Sequence, residues 1–416
     1  MGMKTSAVQV SDVQFDKVAG SSADDKAIVL RCSKSKACTD ITLANVNITS
    51  ANPKEPATAF CFNGSVRAFT FLLFASLAVG VLSGPIYNVI DKGAKGDGKT
   101  DDAQALTDTW NAACSDSKAP TFLIPSGYTF LAHQLYFRGP CKSYINVQVD
   151  GTIMSPYKIR AVRENHWISF VGIEGITING TGYIDGQGAV WYDCRAKQKC
   201  KNGPTAFVVR KCTHVNLKGL NFKNSPMMHL TIQRSFVVSV SGITITAPED
   251  SPNTDGIHVQ RSRHIQISHS VIGTGDDCIS IETNTKDVNI SHVRCGPGHG
   301  ISIGSLGEDN SEAKVEGIRV SHCQFNGTTN GVRIKTCQTS AVQVSDVRYV
   351  DLVGSSATDE AILIKCSQSH PCTDIVLDNV RLKSADPRRN ITNFCFNAFG
   401  TKKHPIVPAL SCLTPN

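Results

Sequence analysis

What this chain lacks narrows its class before any motif is read. Its sixteen cysteines and twelve histidines include no Cys-x-x-Cys or His-x-x-x-His pair, which removes the usual zinc frames. The net charge of +7 is not gathered into runs of Lys and Arg. A nucleic-acid-binding face is therefore a poor reading, and an anionic polymer fits better. Gly96-Asp97-Gly98 reads as a turn and not as a phosphate cradle. The one long apolar segment, 68–82, falls short of the ~20 residues that a membrane span needs. From 253 to 335 there is no apolar spacing of helical period.

What is present is a repeat. Asn253-Thr254-Asp255-Gly256-Ile257-His258-Val259, Gly275-Asp276-Asp277-Cys278-Ile279-Ser280-Ile281 and Gly298-His299-Gly300-Ile301-Ser302-Ile303 each set a polar turn before a short β-branched run. Asp255, Asp277 and His299 follow one another at intervals of 22 residues (277 − 255 and 299 − 277). A second phrase alternates with the first, as His264–His269, Asp287–His292 and Gly317–His322. Two strand signals per ~20 to 30 residues predict a solenoid of β-coils, an all-β parallel β-helix.

Equivalent positions in stacked coils lie about 4.8 Å apart, the spacing of neighbouring strands. Asp255, Asp277 and His299 then share one column with Asp276 beside it, and Arg333 and Lys335 arrive one coil further on. Three carboxylates, an imidazole and two cations on one face make an acid-base site flanked by an anion clamp. Each has a plainer reading alone: Asp as a turn residue, His as a satisfied surface group, Arg-x-Lys as a solvated strand face. Their coincidence in register outweighs those readings.

The motifs Asn253-Thr254-Asp255, Gly275-Asp276-Asp277, Gly298-His299-Gly300 and Arg333-Ile334-Lys335 together resemble those of the polygalacturonases, the pectin-hydrolysing glycoside hydrolases. The likeness runs from about Val89 to the C-terminus, and the phrases Ser251–His258 and Gly296–Gly307 look most like plant, pollen-type exo-acting members. It implies a single-stranded right-handed parallel β-helix and an inverting hydrolysis of α-1,4-linked galacturonan. Asp276 would be the general acid, Asp255 and Asp277 would position and deprotonate water, and His299 would tune the acid. Asn253, Arg333 and Lys335 would bind substrate, the two cations gripping a uronate carboxylate. No metal or other cofactor is implied. The partner is the pectin or polygalacturonate polysaccharide, met by a monomer with no membrane span in its mature form. Carboxylates stacked ~5 Å apart would by themselves point to retention, so inversion comes from the resemblance alone. Two other classes stay open. One is a calcium-dependent pectate lyase, which gives an unsaturated, ultraviolet-absorbing product; the other is a catalytically impaired wall protein.

The first 66 residues repeat the tail. At an offset of 334, 6–64 matches 340–398 with 33 identities in 59 positions, and Phe60-Cys61-Phe62-Asn63 falls on Phe394-Cys395-Phe396-Asn397. Residues 1–66 are thus expected to be a second copy of the tail, such as the end of a neighbouring tandem gene would supply. Residues 67–83, basic then apolar then small, have the form of a secretory signal peptide in an unusual place. Residues 84–416 form the catalytic β-helix. Sixteen cysteines agree with an oxidising compartment, and the expected location is secreted, in the cell wall.

Thr100 reads as the N-cap of a short helix whose stripe of Ala103, Leu106, Trp110 and Ala113 covers the open end of the stack. Cys278 and Cys295 bracket the coil that carries the active column and are expected to be bonded. The resemblance adds the pairs Cys366–Cys372, Cys395–Cys412 and Cys114–Cys141. It also implies a further coil after Thr336, bearing a tyrosine of the substrate site and a partner for Cys337. Here Cys337 leads almost at once into the tail phrase at Ser340. A missing coil and reduced activity are the expectation.

Overall fold

Ten short strands laid side by side, all parallel, form the face that matters for function: Leu135–Arg138, His166–Val171, Thr205–Arg210, Leu230–Gln233, Ile257–Gln260, Ile279–Ile281, Ile301–Leu306, Val332–Thr336, Glu360–Lys365 and Thr392–Phe396. The structure, a computed structural model, describes residues 84–157, 165–200, 203–308, 311–337 and 339–415, and ahead of them the backbone of six strands between 11 and 71. The remaining two strands of each coil, such as Arg263–Ser268 and Val271–Gly273, belong to one continuous parallel sheet. The chain is thus the expected β-helix, wound in the right-handed sense that parallel crossovers adopt.

Alternation along each strand decides which side chains face in. Ile257, Ile279, Ile301, Val332 and Ile362 pair in register and are all buried. Each such side chain contributes about 1.5–3 kcal/mol on leaving water. Between them, His258, Ser280, Ser302 and Arg333 form a second in-register row on the outer side. The repeated Ser-His phrase has a backbone reason. His269, His292 and His322 end their strands with positive φ of 50°, 55° and 54°, a turn geometry in which His is tolerated better than most residues. Their rings stack coil on coil at 4.8 and 5.1 Å.

A helix, Ala103–Cys114, closes the N-terminal end, with Leu106, Trp110 and Ala113 buried as the stripe predicts. Trp110 meets Phe122, Phe137 and Phe170 of the first coils. The start differs from expectation. Thr100 lies in a strand, Asp97–Asp101, and its hydroxyl donates to Asp97; Asp102 holds the N-cap position. Asp102 spends its carboxylate on the amides of Lys95 and Gly96, at 2.7 and 3.0 Å, rather than on the helix. Gly93 to Thr100 has the lettering of a phosphate loop, but the amides of Lys99 and Thr100 already donate to Asp97. The turn reading stands.

Five disulfides are formed among the described residues. They are the four expected ones, Cys114–Cys141, Cys278–Cys295, Cys366–Cys372 and Cys395–Cys412, together with Cys194–Cys200, which sequence reasoning did not propose. Cys337 is unbonded, as are the buried Cys212 and Cys323. After Thr336 the stack continues without a gap: Val332, Arg333, Ile334 and Lys335 pair directly with Ile362, Leu363, Ile364 and Lys365. The ladder stays unbroken because a solenoid coil needs only a neighbour of matching register.

Residues 1–82 form a separate unit. Its strands Lys26–Arg31, Cys38–Ser50 and Thr58–Phe62 fall, at the offset of 334, on Glu360–Lys365, Cys372–Ser384 and Thr392–Phe396. The copy therefore repeats the tail in structure as well as in sequence. Of the segment at 67–83, the part up to Phe71 continues a strand, Gly64–Phe71, and 72–83 lie outside the described residues. Among the described residues no helix is long and apolar enough to cross a membrane.

Candidate active site

The three turns that precede Ile257, Ile279 and Ile301 stack in register and carry the carboxylates. The amide of Gly256 donates to the carbonyl of Asp277 at 2.8 Å, and that of Cys278 to the carbonyl of Gly300 at 2.9 Å. Asp255, Asp277 and His299 are thereby in one column, as the 22-residue interval predicts. Glycine flanks His299 for steric reasons. Gly298 and Gly300 have φ of 137° and 90°, and a Cβ would stand 2.5 Å from the carbonyl of Asp276 and 1.9 Å from that of Asn330. Only glycine allows the coils to approach so closely.

Asp255 and Asp277 are buried, at 7 % and 5 % exposure, and each is held by a serine of the next coil. Ser280 donates to Asp255 Oδ2 at 2.6 Å, and Ser302 donates to Asp277 Oδ1 at 2.6 Å. Each serine has one proton, so its other partner must donate to it. His258 Nδ1 does so to Ser280 at 2.8 Å, and Arg333 Nε to Ser302 at 2.8 Å. Two parallel relays result, His258 to Ser280 to Asp255 and Arg333 to Ser302 to Asp277. Fully buried His229 adds a backbone brace. Its Nε2 accepts from the amide of Ser225, so Nδ1 carries the proton to the carbonyl of Asp255, at 3.1 Å. Burial pushes that ring down to about 4, which keeps it neutral.

Asp276 differs in being partly open. Its side chain is 19 % exposed and that of His299 37 %, with His299 Nδ1 at 3.0 Å from Asp276 Oδ1. Burial presses the Asp276 carboxyl upward, but the bond to His299 and its charge hold it below the ordinary range. The same bond raises the His299 imidazole above its usual value. The two share one proton that is lost only above the normal histidine range. Asp277, by contrast, is pushed up to about 6, chiefly by burial, with Arg333 opposing and Asp255 adding to the rise.

The remaining expected residues divide. Arg333 is turned inward, 12 % exposed, with Nη2 at 2.7 Å from Asp277 Oδ1. Lys335 is exposed and forms no ion pair among the described residues. Asn253 reaches Asp276 Oδ2 with its amide at 3.5 Å, and its own carbonyl oxygen accepts from Arg195. Arg195 also grips the carbonyl of Pro252 at 3.0 Å. It stands on the helix Ala189–Ala196, beside the Cys194–Cys200 bridge, 58 residues before Asn253. No local pattern reveals it. Ser280, Ser302 and His258 were readable in principle, since 258, 280 and 302 keep the 22-residue step.

One possible metal-ligand atom each from Asp276, Asp277 and His299 lies within 4.8 Å of the others. Arg333 already supplies a cation to Asp277 there, which makes the cluster a poor cage for a metal ion.

Comparison with known proteins shows the family and the fold. A sequence profile of the Glycosyl hydrolases family 28 matches residues 1–68, 114–353 and 336–402. Polygalacturonase ADPG1 of Arabidopsis thaliana is 40% identical over 369 residues, 78% of this chain and 84% of that protein. The exopolygalacturonase of Zea mays is 34% identical over 400 residues, 82% of this chain and 97% of that one. Among solved structures, the polygalacturonase of Erwinia carotovora superposes with a TM-score of 0.59 over 75% of this chain and 97% of its own, at 22% identity. That last likeness concerns the fold.

Proposed function

This chain belongs to the glycosyl hydrolases family 28, and on that premise we propose how its own residues hydrolyse α-1,4-galacturonosyl linkages of pectin. The observation that carries the proposal is the gathering of Asp255, Asp276, Asp277 and His299 at three stacked turns beside a half-open face. The couple Asp276 and His299 holds a proton at the edge of the cleft. Asp276 passes it to the glycosidic oxygen as the bond to the anomeric carbon breaks. Water attacks that carbon from the opposite side, and its proton goes to the pair Asp255 and Asp277. The raised basicity of Asp277 suits that task.

Arg333 serves first to hold Asp277 in place, and Lys335, which forms no ion pair among the described residues, is left for a uronate carboxylate. Asn253, fixed by Arg195, orients Asp276. An exo-acting mode is favoured by the similarity to the Zea mays enzyme. All of these groups come from one chain, so a monomer is catalytically complete. Five disulfides fit a secreted, cell-wall enzyme.

The test is Asp276→Asn assayed on polygalacturonate. Turnover should fall by about 10²- to 10⁴-fold, the range for loss of a general acid, while oligogalacturonate binding persists. Unchanged turnover would remove Asp276 from the acid role. Product that absorbs in the ultraviolet, formed only with added calcium, would replace hydrolysis by elimination.

A further inference from the structure

The two relays that hold the buried carboxylates end in different residues. Behind Ser302 stands Arg333, and both donate to Oδ1 of Asp277, at 2.6 and 2.7 Å, so that Oδ2 is left over. Behind Ser280 stands His258, whose Nδ1 lies 2.8 Å from the serine and 3.9 Å from Asp255 Oδ2. His258 is 6 % exposed, too covered to grip a polymer. Whatever it contributes passes through Ser280. It pairs with Thr231 of the preceding strand and Ser280 of the following one, and among the described residues it is the one basic side chain within ion-pair distance of Asp255. Glu282 is the second acid near it: burial pushes that carboxyl up to about 7, and the charge of His258 opposes the rise.

Ser280 has one proton and two candidate acceptors for it, Asp255 Oδ2 and a bare Nδ1 of His258. The tautomer of the ring decides between them. The Asp255 carboxylate, 3.9 Å away, favours a ring proton on Nδ1, and a protonated Nδ1 leaves the serine to donate to Asp255 alone. We propose that His258 is a positioning residue for the attacking water: its Nδ1 proton commits the Ser280 hydroxyl to Asp255 Oδ2, which locks the plane of that carboxylate and presents Oδ1 to the water. Oδ1 accepts no hydrogen bond among the described residues, and Asp255 keeps 10 % of its side chain open. The proposal rests on the hydrolase reading above. A histidine that only fills space is the plainer alternative, and it would tolerate an apolar residue of similar size.

The experiment uses the full chain and follows kcat and KM on polygalacturonate across pH for His258→Leu, His258→Asn, Ser280→Ala and the double variant His258→Leu with Ser280→Ala. His258→Leu should lower kcat by about 10- to 100-fold, the scale of a lost bond to a charged group, with KM little changed. The acidic limb of the profile should move to higher pH, because a carboxylate that loses a donor holds its proton more tightly. In His258→Asn the amide nitrogen can stand where Nδ1 stood, so rate and limb should both return most of the way. Ser280→Ala should shift the limb as His258→Leu does, and the double variant should lose no more than either single one, since both cut the same relay. Melting temperatures separate these effects from loss of fold, and if His258→Leu does not fold, the Asn and Ala variants carry the comparison. A folded His258→Leu with an unmoved acidic limb, or losses that multiply in the double variant, would overturn the relay. An unmutated chain that releases no reducing ends would refute the hydrolase reading itself, and the role of His258 with it.

Discussion

At the scale of the residue, the proposed mechanism draws on the different surroundings of similar carboxyls. Asp277 is buried and its affinity for protons rises, while Asp276 faces the cleft and leans on His299. The sign of the pH dependence follows. In the intact pair the acid's proton is retained to a pH above the ordinary histidine value, because the imidazole is raised by Asp276. His299→Gln removes that reservoir and leaves the last proton on a carboxyl alone. The alkaline limb of the kcat/KM profile should therefore move to lower pH, together with a fall in rate. An alkaline limb that stays where it was would show that His299 does not hold the catalytic proton. The column of carboxylates and imidazole was legible from its 22-residue spacing. The inward turn of Arg333 was not, because a strand pattern records which face a side chain takes but not whether its charge is already partnered.

At the scale of the element, the unit of the site is a turn followed by a short strand of three to six residues, and its precision depends on what fixes each turn to the next. Cys278 and Cys295 are buried and bonded within the coil that carries Asp276 and Asp277. Replacing both by Ala should cost about 3 kcal/mol, the value for a bridge closing a loop of this size. It should reduce kcat more than it raises KM, because the acid loses its position and the substrate keeps its contacts. A lower melting temperature with kcat unchanged would mean that the turns hold their register without the bridge. The strands themselves were legible because β-branched residues recur at a fixed step. Ser280 and Ser302 escaped notice because a serine between two isoleucines also describes any solvated strand position. The capping helix was read correctly along its buried stripe but started two residues too early, since Thr100 and Asp102 are equally good caps on paper and only the competing strand Asp97–Asp101 decides between them.

At the scale of the whole molecule, the β-helix unit from 83 to 416 has its own core among the described residues, and residues 1–82 are a second unit. A chain beginning at Pro85 should melt at the same temperature as the full one and cleave polygalacturonate at the same rate. A clearly lower melting temperature for the shorter chain would show that the duplicated tail supports the coils after all. The duplication was plain in the sequence, as was the short link from Cys337 to the tail phrase at Ser340. How the ladder continues past that link was not, since letters count residues while pairing depends on which strand lies next in space. That continuity gives the fold a reading frame. Deleting a whole coil leaves every inward column of isoleucine and valine in phase, so the core registers no error. The outward row meanwhile skips forward and brings a new side chain next to the old ones, as Lys365 comes to lie next to Lys335. Coils then behave as cassettes: their removal or insertion rewrites the substrate groove in steps of one strand spacing, and the backbone that holds the catalytic carboxylates need not change at all.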